Sequence, residues 1–276
     1  MTPSLTVLVL LAALLHAAWN AMLRGGADRF WTMGMMNLVP GLFGLGTCLV
    51  IGLPAPESLP MVVASGLLHI LYNGLLVLTY RSGDLGATYP VARGSSPALV
   101  AIGAGLAAGE TLPFPAALGV MLVSGGILGL ALARGGIGRA GLLAALGTGA
   151  TIAGYTVVDG LGVRVSGDWL AYTAAMFTFH LCLPAWVLAR RGAGALRGRG
   201  RQLGPALAGG AVSVAAYAVV IWAMQRGAMG AVSALRETSV VFAVLLGRLF
   251  LGETLSLGRI AAAAVIALGA VLIAAG

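Results

Sequence analysis

Ten long apolar runs constrain this chain more than any other feature of its sequence. Each is about 20 residues long, which is the length an α-helix needs to cross the hydrocarbon core of a bilayer. Only 9% of the residues are charged, whereas an average soluble domain is about 25% charged. We therefore predict an all-α membrane protein with ten transmembrane helices. The runs cover residues 3–23, 31–52, 60–80, 86–108, 114–133, 141–161, 169–189, 204–225, 230–251 and 257–275.

The net charge of +8 comes from arginine, because the chain has 16 basic residues and no lysine. In a soluble protein such an excess would suggest nucleic-acid binding. Here most arginines lie between apolar runs, where basic residues set membrane topology, so we expect no nucleic-acid partner. One side carries only Arg164 and Arg226. The other carries Arg24, Arg29, Arg81, Arg134, Arg139, Arg190, Arg191, Arg197, Arg199, Arg201 and Arg259.

The arginine-rich side is predicted to be cytoplasmic, because cytoplasmic loops of membrane proteins carry an excess of Lys and Arg. Both termini then lie on the opposite, periplasmic side of a bacterial inner membrane. The longest connection, Arg190 to Gln202, is basic and glycine-rich, and we expect it to be a flexible loop.

The second half of the chain repeats a segment of the first half. Arg93 lies inside the fourth run, and Arg236 lies at the equivalent depth of the ninth. Both segments end in Gly-Glu-Thr-Leu, at residues 109–112 and 252–255, which are 143 positions apart. This spacing is about half the chain and indicates an internal duplication.

An odd number of helices per copy places the second copy upside down in the membrane. We therefore predict two inverted five-helix repeats, residues 1–137 and 138–276, around a central cavity. Arg93 and Arg236 should then lie near opposite faces of the membrane. Pro90 and Pro97 flank Arg93 and predict a kink in the fourth helix, because proline removes a backbone donor.

Two helices carry the same pattern, His-x-x-aromatic-Asn, as His16, Trp19 and Asn20 in the first run and His69, Tyr72 and Asn73 in the third. Residues at i, i+3 and i+4 share one face of a helix. We expect the two faces to line the cavity, although polar residues also join membrane helices simply by hydrogen bonds of about 0.6 kcal/mol. Further candidate substrate-binding residues are Tyr80, Tyr89, Tyr155 and Tyr217.

Charged side chains inside the apolar runs need protein or water around them, because a charged side chain in hydrocarbon is costly. Arg93 and Arg236 are candidates for gating or for attracting a carboxylate. Glu237 has three readings: a partner across the bundle, a proton-binding group or a structural ion pair with either arginine. Asp159 shares a helix face with Tyr155 and is a further gating or charge candidate.

Small residues suggest close helix contacts at Gly105-xxx-Gly109 and Gly125-xxx-Gly129. Glycine is nevertheless common in membrane helices, so a single glycine by itself predicts no contact.

No catalytic motif is present: the chain lacks Gly-x-Ser-x-Gly, His-Glu-x-x-His and any pair of intramembrane carboxylates at helical spacing. Its three histidines have no acidic or cysteine ligands at the spacing of a metal motif. We therefore expect a protein that is not an enzyme and that holds no metal or cofactor.

The ten short runs, the inverted halves and the Gly-Glu-Thr segments after runs four and nine resemble the EamA-type transporters of the drug/metabolite transporter superfamily. The resemblance covers essentially the whole chain, and within the family the chain looks like the exporters of amino acids and metabolites, including aromatic amino acids. It implies a cavity formed by helices one to four and six to nine, with helices five and ten outside. Four-helix multidrug members use a glutamate in the first helix for proton coupling, but this chain has His16 there and no carboxylate.

We expect an inner-membrane secondary transporter that exports small organic solutes by alternating access, most simply neutral or aromatic zwitterionic amino acids. Helices one, three, six and eight should line the site. Uptake of a phosphonate, a quaternary amine or a sugar phosphate, or a passive channel, are the alternatives. The functional unit is a monomer or a homodimer in contact with the lipid bilayer.

Overall fold

A computed structural model describes residues 1–26, 28–82, 85–132, 137–251 and 256–276. The second Gly-Glu-Thr-Leu segment, residues 252–255, and the Tyr80 side chain lie outside the described part. Helices make up nearly all of these ranges, and none of them contains a β-strand.

Twelve helices are described. They are α1 (Pro3–Gly25), α2 (Arg29–Ile51), α3 (Leu59–Ser82), α4 (Leu85–Ala108), α5 (Phe114–Leu132), α6 (Arg139–Ser166), α7 (Trp169–Phe177), α8 (Cys182–Arg191), α9 (Gly200–Met224), α10 (Met229–Glu237), α11 (Ser239–Leu251) and α12 (Leu257–Ala275). Short 3₁₀ turns cover Pro56–Ser58, Thr178–Leu181 and Ala193–Leu196.

These helices correspond to the ten predicted runs, because α7 with α8 forms the seventh run and α10 with α11 forms the ninth. In the described part, nine segments are long and apolar enough to cross a membrane, and the ninth run is not among them. The prediction of an all-α multi-pass membrane fold is confirmed.

Two of the ten runs are divided into two helices, whereas the fourth run is not. α4 continues through Pro90 and Pro97 as one helix. The seventh run tightens into a 3₁₀ turn just before Pro184, whose ring clashes with the carbonyl four residues earlier. The ninth run breaks at Thr238, whose hydroxyl donates to the Leu235 carbonyl at 2.7 Å and so competes with the helical backbone.

Helix packing pairs the two halves of the chain. α5 packs on α12, α4 on α10, and α2 on α7; α3 and α4 pack on α6, while α9 and α10 pack on α1. If each helix of the first half is swapped with its counterpart in the second half, the same set of packed pairs is obtained. We propose on this basis that the halves are inverted repeats related by a two-fold axis in the membrane plane.

A mutual contact between two glycines joins α5 to α12, away from the predicted glycine pairs. A Cβ atom on Gly119 would lie 2.5 Å from the Gly269 carbonyl oxygen, and one on Gly269 would lie 2.7 Å from the Gly119 oxygen. Gly125 and Gly129 have open space at the same position. Glycine is therefore required where two helix backbones touch. The spacing of glycines along one helix does not predict which positions these are.

The loop after α8 is anchored, contrary to the expectation of a flexible connection. Asp28 caps α2, pairs with Arg191 and binds Arg199 at 3.0 Å. Hydrogen bonding to Arg191 holds the pKa of the Asp28 carboxyl well below its usual range. The fully buried Trp31 donates its indole N–H to the Ala195 carbonyl at 2.8 Å. Two contacts therefore fix this basic loop to the start of α2.

Gly269→Ala should lower stability, because the new methyl group meets the Gly119 carbonyl and the helices must separate. We expect a loss of about 1–3 kcal/mol, typical of overpacking. Gly125→Ala on the same helix pair is the control, and should be neutral or slightly stabilising. Thermal unfolding of the purified protein in detergent measures both; equal melting temperatures for the two variants would contradict the contact.

Candidate functional site

An open cavity lies at the centre of the bundle, with an unfilled space of about 900 Å³ that includes the part continuous with solvent. Side chains from α1, α2, α3, α4, α6, α7, α9 and α10 and the 3₁₀ turn before α8 line it, whereas α5 and α12 contribute none of the described lining. The arrangement agrees with the basket of helices that the family resemblance implies. Its polar lining residues are His16, Trp19, Asn37, His69, Tyr72, Asn73, Arg93, Tyr155, His180, Ser213, Tyr217 and Arg236.

One buried carboxylate holds two buried guanidinium groups at the cavity wall. Glu237 Oε2 lies 2.7 Å from Arg93 Nε, and Glu237 Oε1 accepts a hydrogen bond of 3.3 Å from Arg236 Nη2. All three side chains are at most 2% exposed. The Arg93 contact is an ion pair without an aligned hydrogen bond, and Arg236 Nε has no hydrogen-bond partner among the described groups. One positive charge therefore remains unneutralised at this wall.

The inverted repeat led us to expect the two guanidinium groups near opposite faces of the membrane. Instead, both contact the same carboxylate. Arg93 is the ninth residue of α4 and Arg236 the eighth of α10. At 1.5 Å per residue each Cα lies only about 11–12 Å from the start of its helix, close to the middle of a core about 30 Å thick. The long arginine side chains span the remaining distance and meet at Glu237.

Arg93 also fixes the orientation of His16. Its Nη2 lies 2.9 Å from His16 Nε2. An arginine N–H can only donate, so Nε2 is the acceptor and carries no proton. The imidazole ring packs edge-on against Trp19, with centroids 4.9 Å apart. Arg93 is thereby held on two sides, while Arg236 is the less restrained cation.

An aromatic wall faces the arginines. His69 stacks on Tyr155 with centroids 4.0 Å apart, and it lies 5.5 Å from His180 and 5.7 Å from Tyr217. Tyr72 meets Tyr155 at 5.8 Å. The wall combines large apolar faces with polar edges, which suits a solute that has both an apolar and a polar part.

Asp159 lies behind this wall, fully buried. It accepts hydrogen bonds from Tyr217 at 2.6 Å and from Tyr172 at 3.0 Å. No cation lies within ion-pair distance of it in the described part of the chain. Asp159 thus positions Tyr217 in the cavity rather than facing the cavity itself.

Seven of the ten predicted binding residues line the cavity together: His16, Trp19, His69, Tyr72, Asn73, Tyr155 and Tyr217. Asn20 and Tyr89 do not, and the Tyr80 side chain lies outside the described residues. Arg93 and Arg236 reach the cavity, whereas Glu237 and Asp159 lie behind its surface. Glu237 forms the ion pair that was one of its three readings.

The predicted list of site residues omitted four residues that also line the cavity: Asn37, Phe177, His180 and Ser213. Asn37 gave a signal, because it is the single amide within its run. Its Nδ2 donates to the Met33 carbonyl at 2.8 Å, as Asn20 does to His16 and Asn73 to His69, at 2.8 and 2.7 Å. The sequence signal for Asn37 was therefore a single amide four residues after Met33, which also lines the cavity.

Buried apolar side chains close the cavity toward the arginine-poor side. Val9, Ile221, Met224 and Val232 are fully buried there. At the other end, the lining extends to Leu23 and Met33, near the arginine-rich ends of α1 and α2. Access to the cavity is therefore from the arginine-rich side.

A polar clamp lies outside the apolar layer. Arg164 Nη2 contacts Glu110 Oε1 at 2.5 Å and donates to the Gly227 carbonyl at 2.8 Å, and Arg164 Nε donates to Met224 O at 3.0 Å. Glu110 Oε2 accepts from the Met229 N–H at 2.8 Å, the first residue of α10. Glu110 therefore ties the α4–α5 connection to α6 and α10.

Metal-ligating residues do not converge. Across the residues the structure describes, no three His, Cys, Asp or Glu side chains lie close enough to hold an ion.

Residues 139–275 match the model of the EamA-like transporter family. The chain belongs to this family, which is a family of membrane transporters of small solutes. A solved structure described as "Crystal structure of protein" is similar over 99% of this chain and 98% of that chain, with a TM-score of 0.79 and 22% identity. At that identity the likeness shows the fold. No curated protein matches the chain.

Glu237→Gln should be strongly destabilising, because it leaves two buried guanidinium groups without their carboxylate. Removing one partner of a buried ion pair costs about 3–5 kcal/mol. Glu57→Gln, at an exposed position of a 3₁₀ turn, is the control and should be neutral. Thermal unfolding in detergent gives both values; an unchanged melting temperature for Glu237→Gln would show that the carboxylate is not needed to hold the arginines.

Proposed function

We propose that this protein is a bacterial inner-membrane secondary transporter that exports small carboxylate-bearing solutes, with neutral and aromatic amino acids as the best fit. The observation that carries the proposal is the sharing of one buried carboxylate by two arginines at the cavity wall. The remaining positive charge attracts an anionic group, and Arg236, which is among the residues that line the cavity, is the candidate donor to it.

Acceptors for an ammonium group are also available. Asn37 and Asn73 line the cavity, and the amide nitrogen of each donates to a carbonyl of its own helix. Their side-chain carbonyl oxygens are left as acceptors. A zwitterion could place its carboxylate on Arg236 and its ammonium against these oxygens, while the aromatic wall receives its side chain.

The alternatives fit the charges less well. A phosphonate or a sugar phosphate carries more negative charge than one excess arginine neutralises. A quaternary amine would meet a positive wall. A passive channel would require a continuous path, whereas buried apolar side chains fill the arginine-poor end of the cavity. Catalysis would need a reactive pair of side chains, and the lining is built for binding.

Alternating access follows from the proposed inverted repeat, because exchanging the conformations of the two halves would open the opposite side. The excess of arginine supports a cytoplasmic location for the accessible side and a periplasmic location for both termini. An exporter loads its solute from that side. The assignment of export rather than uptake rests on the resemblance to exporters within the family.

The decisive measurement is transport by the purified protein in liposomes against a panel of labelled amino acids, with and without a pH gradient. We expect saturable uptake and stimulation by the same solute on the opposite side, as for a carrier. Flux that neither saturates nor shows trans-stimulation would indicate a channel, and chemical change of the solute would indicate an enzyme.

Arg236→Gln should impair binding of the carboxylate while leaving the Arg93–Glu237 pair intact. A hydrogen bond to a charged group contributes about 1.5–3 kcal/mol, so we expect the half-saturation concentration of the transported amino acid to rise about tenfold or more. Arg226→Gln, an exposed arginine on the arginine-poor side, is the matched control. The uncharged amide of the same amino acid should be less sensitive to Arg236→Gln. Equal effects on acid and amide would remove Arg236 from carboxylate recognition.

Glu110→Gln should favour opening toward the arginine-poor side, since it weakens the clamp with Arg164. Met224→Cys in a background without the two native cysteines reports this, because Met224 is fully buried in the closed arrangement. We expect faster labelling by an impermeant thiol reagent added from the arginine-poor side. Asp168→Asn, which removes a carboxylate charge at the N-cap of α7 and keeps a capping oxygen, is the control. Unchanged labelling would show that the clamp does not limit opening.

A further inference from the structure

A second cavity, here called the side pocket, lies between α2, α3 and α8, with an unfilled space of about 820 Å³. Its walls are largely apolar and include Phe30, Ile70, Leu183 and Trp186. Ile70 is 37% exposed and Trp186 is 44% exposed. In a membrane-spanning bundle these exposed apolar residues face lipid, so the side pocket is open to the bilayer.

The side pocket lies in the leaflet on the arginine-rich side. Phe30 and Met33 belong to the first turns of α2, and Trp186 precedes the end of α8 by five residues. Phe30 and Trp186 pack edge to face with centroids 4.8 Å apart. Aromatic residues at such positions mark the membrane–water interface. The pocket therefore begins at the level of lipid headgroups and extends toward the acyl chains.

Cations surround its interfacial end. The Arg190 guanidinium carbon lies 5.9 Å from the Trp186 ring, and that of Arg191 lies 5.3 Å from the Phe30 ring. Asp28 pairs with Arg191 and Arg199. Arg190 is exposed and makes no ion pair with any described residue. The mouth of the pocket is thus positively charged beyond what its carboxylate neutralises.

We propose that the side pocket binds one anionic phospholipid, with an acyl chain in the apolar pocket and the phosphate at Arg190. An apolar slot below an interfacial arginine without an ion-pair partner among the described residues provides both parts of such a site. An anionic headgroup is favoured over a zwitterionic one because the mouth carries excess positive charge.

The bound chain also completes the wall of the central cavity. Met33 and Asn73 line both cavities, so these two side chains form the partition between them. An acyl chain in the side pocket supports that partition from the lipid side. The lipid site is independent of which solute is transported, and its binding test remains valid if the proposed function is wrong.

The test titrates the detergent-solubilised full chain with phosphatidylglycerol or phosphatidylcholine carrying brominated acyl chains, which quench tryptophan on contact. The signal is the quenching that Trp186→Phe removes. We expect phosphatidylglycerol to act at several-fold lower concentration than phosphatidylcholine. Arg190→Gln should reduce this preference about fivefold, the value of one interfacial arginine. Arg226→Gln is its control, since Arg226 lies 4.3 Å from the Trp222 ring.

Gly74→Leu should fill the pocket and abolish the Trp186-dependent quenching, because a side chain at Gly74 meets open space. Gly46→Leu, at an equally open helical glycine outside the pocket, should leave it unchanged. Quenching retained in Gly74→Leu, or equal action of both lipids on the wild type, would overturn the proposal. If Gly74→Leu does not fold, the test rests on comparing Arg190→Gln with Arg226→Gln. An equal preference for phosphatidylglycerol over phosphatidylcholine in both variants would overturn the proposal.

Discussion

A carboxylate shared by two guanidinium groups in the centre of the membrane is the interaction on which this structure depends. Charged side chains in hydrocarbon are tolerated when they pair with each other or face a wet cavity, and Glu237 with Arg93 and Arg236 satisfies both conditions. The triad joins α4 to the end of α10, where the partial negative charge of the helix terminus also favours cations. One carboxylate for two arginines leaves the excess charge that we assign to solute recognition.

Closure on one side of the bundle is achieved by two different kinds of contact. Val9, Ile221 and Met224 exclude water by apolar packing. Arg164 and Glu110 instead use charge-assisted hydrogen bonds to join α6, the α4–α5 connection and the α9–α10 connection. Apolar layers in lipid gain little from the hydrophobic effect, so polar contacts and close packing carry more of the specificity. The packed layer and the polar clamp are separate, and neither Arg164 nor Glu110 is among the described residues that line the central cavity.

The two cavities are open to different environments. The central cavity has a polar and aromatic lining and opens toward the arginine-rich side, while the side pocket is mostly apolar and opens toward lipid. Met33 and Asn73 separate them. A partition of two side chains is thin, and a lipid chain on its far side would exclude water from that part of the wall. The bilayer is in this sense a structural partner of the proposed binding site.

The sequence by itself determined the class of fold, since ten apolar runs of spanning length leave no other arrangement of backbone hydrogen bonds in lipid. It also identified His16, Trp19, His69, Tyr72 and Asn73 as cavity candidates, because helical periodicity places each set on one face. Tertiary structure alone decided that Arg93 and Arg236 meet at one carboxylate. It also decided that Asn37 and His180 line the same cavity, and that Asp159 lies behind Tyr217. Periodicity predicts which residues share a face of a helix, but not which other helix packs against that face. Contacts made by long side chains such as arginine also depend on how deep each helix lies in the membrane, which helices far apart in the chain determine together.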